Sequence, residues 1–350
     1  MSEYRSVVVI QTAFIGDVVL TLPLIQAIRA LYPESSVDVV VTPQSRELFE
    51  NHPDVREAIG FDKNGADRGL CGLRRIASVL RSRSYDAALV PHRSLRSALL
   101  TLLAGVPVRI GFNRSAGRMF LTATEIYRKN QHEIDRNLSL LGKLTHVPLR
   151  RELPRLYPSD ADKKRVERLL VELEIGRPGR MIAMAPGTVW NTKRWLKERF
   201  ASLAVKFDDE GYDVVLLGGE GDFGFCTEIH ALSGSSHVHS VAGMLSLLQS
   251  AELIRRCALL VCNDSAPMHL AAGVGTPVVA LFGATVPAFG FGPPGPFDRV
   301  VETEGLKCRP CSIHGGDKCP IKTFDCMVDI SYERVFRTAM ETIARSTTSR

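Results

Sequence analysis

Apolar runs rich in valine, isoleucine, leucine and alanine recur along this chain. Each is followed by a polar turn and then by a stretch of helical period. Ser6 to Thr12 is the first run, and Val18 to Leu31 the first periodic stretch, with Leu20, Leu24, Ala27, Ile28 and Leu31 on one face. Pro23 falls in the first two turns of that stretch, where its missing N–H costs less than deeper in. Val37 to Thr42 and Glu57 to Phe61 read as further strands, and Leu70 to Arg83 as a basic helix. Tyr85 to Val90 is a strand, followed by the turn Pro91 to Ser94, a helix through Leu103, and a strand from Val108 to Gly111. Between Asn113 and His132 the pattern weakens and turns basic, as in loops beside a site, and Glu133 to Leu144 is helical again. Pro148 to Pro158 has the proline and charge content of a linker.

The second half repeats the scheme. Ser159 and Asp160 cap a helix through Leu173, and the Asp160-Ala161-Asp162 triplet reads as a cap and dipole partner rather than a metal site. Met181 to Ala185 is a strand, residues 186–193 a loop, Lys197 to Phe207 a helix, and Tyr212 to Gly218 a strand ending in a glycine-rich turn. Val238 to Val241 is short and strand-like, and Leu245 to Arg256 helical. Ala258 to Phe282 then reads strand, polar turn, short helix closed by Gly275, and strand. Strands alternating with helices predict the α/β class with parallel, doubly wound sheets. The simplest architecture is two Rossmann-like domains facing a cleft, at 1–155 and 156–330, with a C-terminal helix at 331–350 that could return to the first domain. Ligands are expected outside the carboxyl ends of the strands.

Size and composition fit this. A chain of 350 residues holds two ordinary domains, and 45% hydrophobic with 23% charged residues is a globular balance. A net charge of +6 suits anionic substrates or an anionic membrane surface and is too small to argue for nucleic acid. Residues 1–5 do not begin a signal peptide, and the run from Ser97 to Val108 falls short of the roughly 20 residues of a spanning helix. The expected location is cytoplasmic, with peripheral contact at the membrane open. Of eight cysteines, Cys71, Cys226, Cys257 and Cys262 read as reduced thiols. Cys308, Cys311, Cys319 and Cys326 cluster; the first pair has the CxxC spacing of zinc sites, but no second pair follows. A packed cysteine-rich loop is expected, with metal or disulfides as alternatives.

Three loops at strand ends carry candidate chemistry. In the first, Gly16 precedes Asp17, a carboxylate at a helix start that is kept ionised there and serves either as a cap or as a general base. In the second, Gly187, Thr188, Asn191, Thr192 and Lys193 combine close backbone approach, hydroxyls, an amide and a cation, a mixture suited to a diphosphate. The Walker pattern is absent. In the third, Asp264 and Ser265 could bond a phosphate-linked sugar, Ala266 follows, and His269 sits a helical turn on. Glu220 and Asp222 could accept from ribose hydroxyls.

The stretches GDVVLTLPLIQAIR at 16–29, APGTVWNTKRW at 185–195 and NDSAPMHLAAGVGTPVVALFG at 263–283 together resemble glycosyltransferase family 9, the ADP-heptose:lipopolysaccharide heptosyltransferases of Gram-negative bacteria. The cysteine-bearing tail looks most like the heptosyltransferase II branch, with heptosyltransferase I or another family member as the alternative. The resemblance implies a GT-B fold, inversion at the anomeric carbon and neither metal nor cofactor. It implies an ADP-heptose donor held by the second domain and a Kdo-lipid A type acceptor at the inner membrane. It makes Asp17 the base that deprotonates the acceptor hydroxyl, and sets Lys193 and Thr188 on the diphosphate. Asp264, Ser265 and the N–H of Ala266 would contact phosphate or heptose. Gly243, Met244 and Leu245 would border the adenine. Gly16, Arg93 and Arg114 would face the acceptor, among arginines that also include 74, 75, 81, 83, 96 and 118. A nicotinamide oxidoreductase would need GxGxxG after the first strand, where only Gly16 stands. A non-catalytic sugar-nucleotide-binding protein is the remaining rival.

Overall fold

The apolar runs become two parallel sheets, one in each of the units Met1–Tyr157 and Pro158–Arg350. The structure, a computed structural model, describes residues 4–175 and 179–348, so the polar residues 1–3 lie outside it. In the first unit the strands are β1 (Ser6–Ile10), β2 (Ser36–Val41), β3 (Glu57–Gly60), β4 (Ala87–Val90), β5 (Val108–Phe112) and β6 (Ala123–Glu125). They lie in the order β3-β2-β1-β4-β5-β6. Its helices are α1 (Ile15–Val19), α2 (Leu22–Leu31), α3 (Gly69–Arg81), α4 (Leu95–Leu103) and α5 (Glu133–Ser139).

The second unit holds β7 (Met181–Ala185), β8 (Asp213–Leu216), β9 (Val238–Ser240), β10 (Leu259–Asn263), β11 (Val278–Phe282) and β12 (Arg299–Glu302). The order is β12-β11-β10-β7-β8-β9. Its helices are α6 (Asp160–Glu172), α7 (Lys197–Asp209), α8 (Phe223–Ser233), α9 (Leu247–Arg256), α10 (Ala266–Val274), α11 (Asp325–Val328) and α12 (Tyr332–Thr348). Counted from its own first strand, this sheet follows the same permutation as the first. Both are α/β doubly wound parallel sheets. Strands β4, β7, β8, β10 and β11 are buried at every residue, as expected where helices cover both faces.

Strand order reverses between β1 and β4 in one sheet and between β7 and β10 in the other. Those switch points leave a crevice at the carboxyl ends of the strands. Asp17 follows β1, Arg93 follows β4, Lys193 follows β7 and Asp264 follows β10.

Several elements differ from the sequence reading. The helix expected from Val18 to Leu31 is two: α1 ends at Val19, and α2 restarts with Pro23 in its first turn. Proline has no N–H to continue the ladder, so it begins a helix more readily than it extends one. The loop region 113–132 contains β6, which pairs with β5. Ser159 and Asp162 form a reciprocal capping box at the start of α6, the role read from the triplet. In the C-terminal helix, Val335 and Ala339 of α12 are buried in the second unit's core with Trp195, Phe200 and Phe207. No helix among the described residues is long and apolar enough to cross a membrane. All eight cysteines are free, and no group of three or more His, Cys, Asp or Glu side chains among the described residues is placed to hold a metal ion.

Candidate active site

In the first unit, Gly16 is buried and Asp17 lies in the opening turn of α1, partly buried. Its carboxylate takes the backbone N–H groups of Phe14 and of Asp17 itself, yet burial, reinforced by the charge of Glu133, pushes its pKa up to about 7. The expectation that the helix start keeps it firmly ionised is thereby corrected. A five-residue helix offers a small dipole, and desolvation outweighs it. A carboxylate poised near neutrality is what a general base at physiological pH requires.

Helix α5 supplies groups that sequence alone did not mark. Arg136 and Glu133 form a buried ion pair at 2.7 Å. Two guanidinium groups stand over Tyr127, Arg93 4.1 Å from its ring centroid and Arg136 4.9 Å. Arg93 is thus stacked on Tyr127 while remaining exposed, and Arg114 is exposed on the loop after β5. Of the other arginines, Arg75 pairs with Asp67, Arg83 with Asp38 and Glu57, and Arg81 and Arg96 bond backbone carbonyls within the unit. At the switch point itself, the Thr12 hydroxyl meets His92 Nδ1 at 3.0 Å, and burial beside Lys63 and Arg93 drives the His92 pKa down to about 4. His92 is therefore neutral at pH 7.

In the second unit, buried Asn263 at the end of β10 ties the switch point together. Its amide donates to the Pro186 carbonyl at 2.8 Å and accepts the Trp195 N–H at 3.1 Å. Trp195 is fully buried and donates its indole N–H to Ile330. Both ends of the Lys193 loop are fixed this way. Lys193 Nζ then stands 2.7 Å from Asp264 Oδ2, with side-chain exposures of 13% and 10%. The Thr285 hydroxyl donates to the same oxygen at 2.6 Å. Thr285 escaped the sequence reading because a lone threonine after a strand carries no signal.

Other candidates are used differently. The Thr192 hydroxyl is buried and accepts the Gly316 N–H at 2.8 Å, and the Asn191 amide donates to the Asp317 carbonyl at 3.3 Å. Both hold the cysteine-bearing segment against the Lys193 loop. The Thr188 carbonyl accepts from Arg194. Gly187 permits a close approach, but of Asp222, whose Oδ1 would sit 2.2 Å from an added Cβ. Asp222 in turn accepts the Gly219 N–H at 3.0 Å, which holds the turn. Ser265 occupies the N-cap of α10, but its hydroxyl turns to the Asn263 carbonyl, so it does not cap the N–H groups of the first turn, which begins at Ala266. His269 is buried on the inner side of α10.

Beside the β8 turn lies a surface cavity of about 420 Å³, lined by Glu220, Phe223, Ala242, Gly243 and Met244. Leu245 is the next residue along. Exposed Phe223 and Met244 give the cavity apolar walls, and Glu220 is an exposed carboxylate at its rim. Phe223 was missed because an aromatic opening a helix more often belongs to a core.

The sequence profile of glycosyltransferase family 9 (heptosyltransferase) matches residues 73–315. The lipopolysaccharide heptosyltransferase 2 of Escherichia coli (strain K12) is 30% identical over 295 residues, 81% of this chain and 84% of its own length. The solved structure of E. coli ADP-heptose LPS heptosyltransferase II superposes with a TM-score of 0.80 at 27% identity, covering 98% of this chain and 100% of that one. A family 9 glycosyltransferase from Veillonella parvula DSM 2008 gives a TM-score of 0.89 at 24% identity, with 99% of each chain covered, a likeness of fold. The profile spans most of the chain, and a relative 30% identical covers 81% of it, so the chain belongs to glycosyltransferase family 9, the heptosyltransferases.

Proposed function

We propose that this chain transfers heptose from ADP-heptose to the inner-core, Kdo- and heptose-bearing region of lipopolysaccharide, with inversion, without a metal ion, and as a heptosyltransferase II. The observation that carries the reading is the Lys193–Asp264 pair at the β7/β10 switch point, a cation where a nucleotide diphosphate leaving group needs one. The open first turn of α10 adds N–H donors to the same charge. The cavity at Glu220, Phe223 and Met244 has the size and apolar lining for the adenine, with Glu220 at the ribose.

In the reaction, the acceptor oxygen attacks the anomeric carbon as the bond to the β-phosphate oxygen breaks. The electron pair leaves with ADP, and Asp17 takes the acceptor proton. A glycosidase needs a second carboxyl group to protonate an alcohol leaving group. ADP departs as a stabilised anion, so one base suffices and Lys193 offsets the developing charge. A single displacement inverts the anomeric centre. Arg93 and Arg114 suit an anionic acceptor lipid and, with it, peripheral contact with a membrane surface.

The test is Asp17→Ala assayed with ADP-heptose and defined truncated core lipids. Calorimetry should show ADP bound as tightly as by the unsubstituted chain, while transfer falls by about 10²–10⁴-fold. Near-normal turnover would remove Asp17 as the base, and transfer to a Kdo-only acceptor but not to a heptosylated one would reassign the subtype.

A further inference from the structure

Segment 302–317 joins the two loops that flank Lys193 and Asp264. At one end Arg309 donates to the carbonyls of Gly283, Thr285 and Thr303 and pairs with Glu302, and the Cys311 N–H donates to the Ala284 carbonyl at 2.9 Å. At the other end Gly316 exchanges two bonds with Thr192, its carbonyl accepting the Thr192 N–H at 2.9 Å. Gly315 has φ +86°, and a Cβ there would lie 3.0 Å from Lys193 Cγ, so this end packs directly on the lysine stem. Four of the five N–H donors of the Arg309 guanidinium are thus engaged by its own chain.

Between those ends sits Thr285, 2% exposed, with its carbonyl fixed by Arg309 and its hydroxyl on Asp264 Oδ2, the oxygen that also takes Lys193. An aspartate that holds the lysine too tightly would compete with the diphosphate for it. A hydroxyl donating to the shared oxygen satisfies part of that demand and fixes the carboxylate's direction. We propose that Thr285, held in place by Arg309, is a positioning residue that sets how readily Lys193 passes from Asp264 to the donor diphosphate. The inference rests on the donor site proposed above.

The experiment is a double-mutant cycle read by calorimetry with ADP on the full chain. Thr285→Val keeps the side-chain shape and should weaken ADP binding about tenfold, with Thr285→Ser restoring it to within about twofold. In a Lys193→Met background the same Thr285→Val change should have no further effect, since the lysine it acts through is gone. A merely structural threonine would give the same loss in both backgrounds. Unfolding transitions measured on the same samples establish that each variant is folded, and Thr285→Ala completes the cycle if the valine variant is not. If the unsubstituted chain does not bind ADP, the donor-site reading falls and takes this inference with it. If it binds ADP and Thr285→Val stays within twofold, or the loss persists in the Lys193→Met background, the inference alone is overturned.

Discussion

The burial that destabilises the Asp17 carboxylate in the fold also raises its proton affinity, which the proposed base would need. Its pKa of about 7 predicts that kcat/KM rises with pH along a limb of apparent pKa near 7. Glu133→Gln removes a like charge and leaves Arg136 less compensated, so that limb should move to lower pH. The linkage has a definite sign. A carboxyl whose folded pKa lies above its unfolded value of 3.8 binds its proton more tightly when folded. Stability therefore falls as pH rises from about 4 to 7, and Asp17→Asn should raise the melting temperature at pH 8 by a few degrees, roughly, with the gain shrinking toward pH 5. A gain that is the same at both pH values would show that the carboxyl is not titrating in this window. The identity of Asp17, Lys193 and Asp264 as candidates was legible in the sequence, because each follows an apolar run at a turn. The electrostatic state of Asp17 was not, since it depends on Glu133 and Arg136, which reach it only through the fold.

At the scale of elements, the turns hold their shape through pairs of residues that the sequence keeps apart. Gly187 and Asp222 are one such pair. Gly187→Ala must drive Asp222 off the Gly219 N–H, which should cost about 1 kcal/mol of stability and weaken ADP binding through the cavity beside that turn. If the clash is the cause, Asp222→Ala in the same chain should make the glycine substitution less costly than the sum of the two single changes, measured by denaturant unfolding. Simple addition would place the effect elsewhere. The break between α1 and α2 shows why helix limits were harder to read than helix existence. Thr21 bonds the Asp17 carbonyl at 2.8 Å and accepts from Gln11 at 3.2 Å, while Asn137 of α5 reaches the Leu20 carbonyl at 3.2 Å. The Asp17 carbonyl is satisfied by nearby Thr21 and the Leu20 carbonyl by distant Asn137, so local periodicity continued through Leu20 without marking the break. Thr21→Val should cost about 1–3 kcal/mol, read from the shift in denaturant midpoint.

At the scale of the whole chain, two copies of one sheet permutation carry different chemistry because different side chains follow the same strand ends. This predicts where ADP protects the molecule. Hydrogen exchange should slow in loops 186–193, 218–223, 242–245 and 263–269 of the second unit, with the strand-end loops of the first unit unchanged. A hundredfold excess of ADP over its Kd should stabilise the protein by about 2.7 kcal/mol. Equal protection after β1 and β4 would show that the donor assignment is incomplete. The amino-acid sequence by itself determined the alternation of strands and helices, the α/β class, the turns and the three motif loops. All of these are local, set by apolar period, glycine, proline and capping residues within a few positions. Only the tertiary structure decided which strands are neighbours, and hence that Lys193 and Thr285 both meet Asp264. It also decided that Thr192 and Asn191 bond the segment at Gly316 and Asp317, and that Asp17 sits near neutrality. Contact and desolvation energies fall off over a few ångströms in space, and residues far apart along the chain become neighbours at that distance only once the sheets are wound.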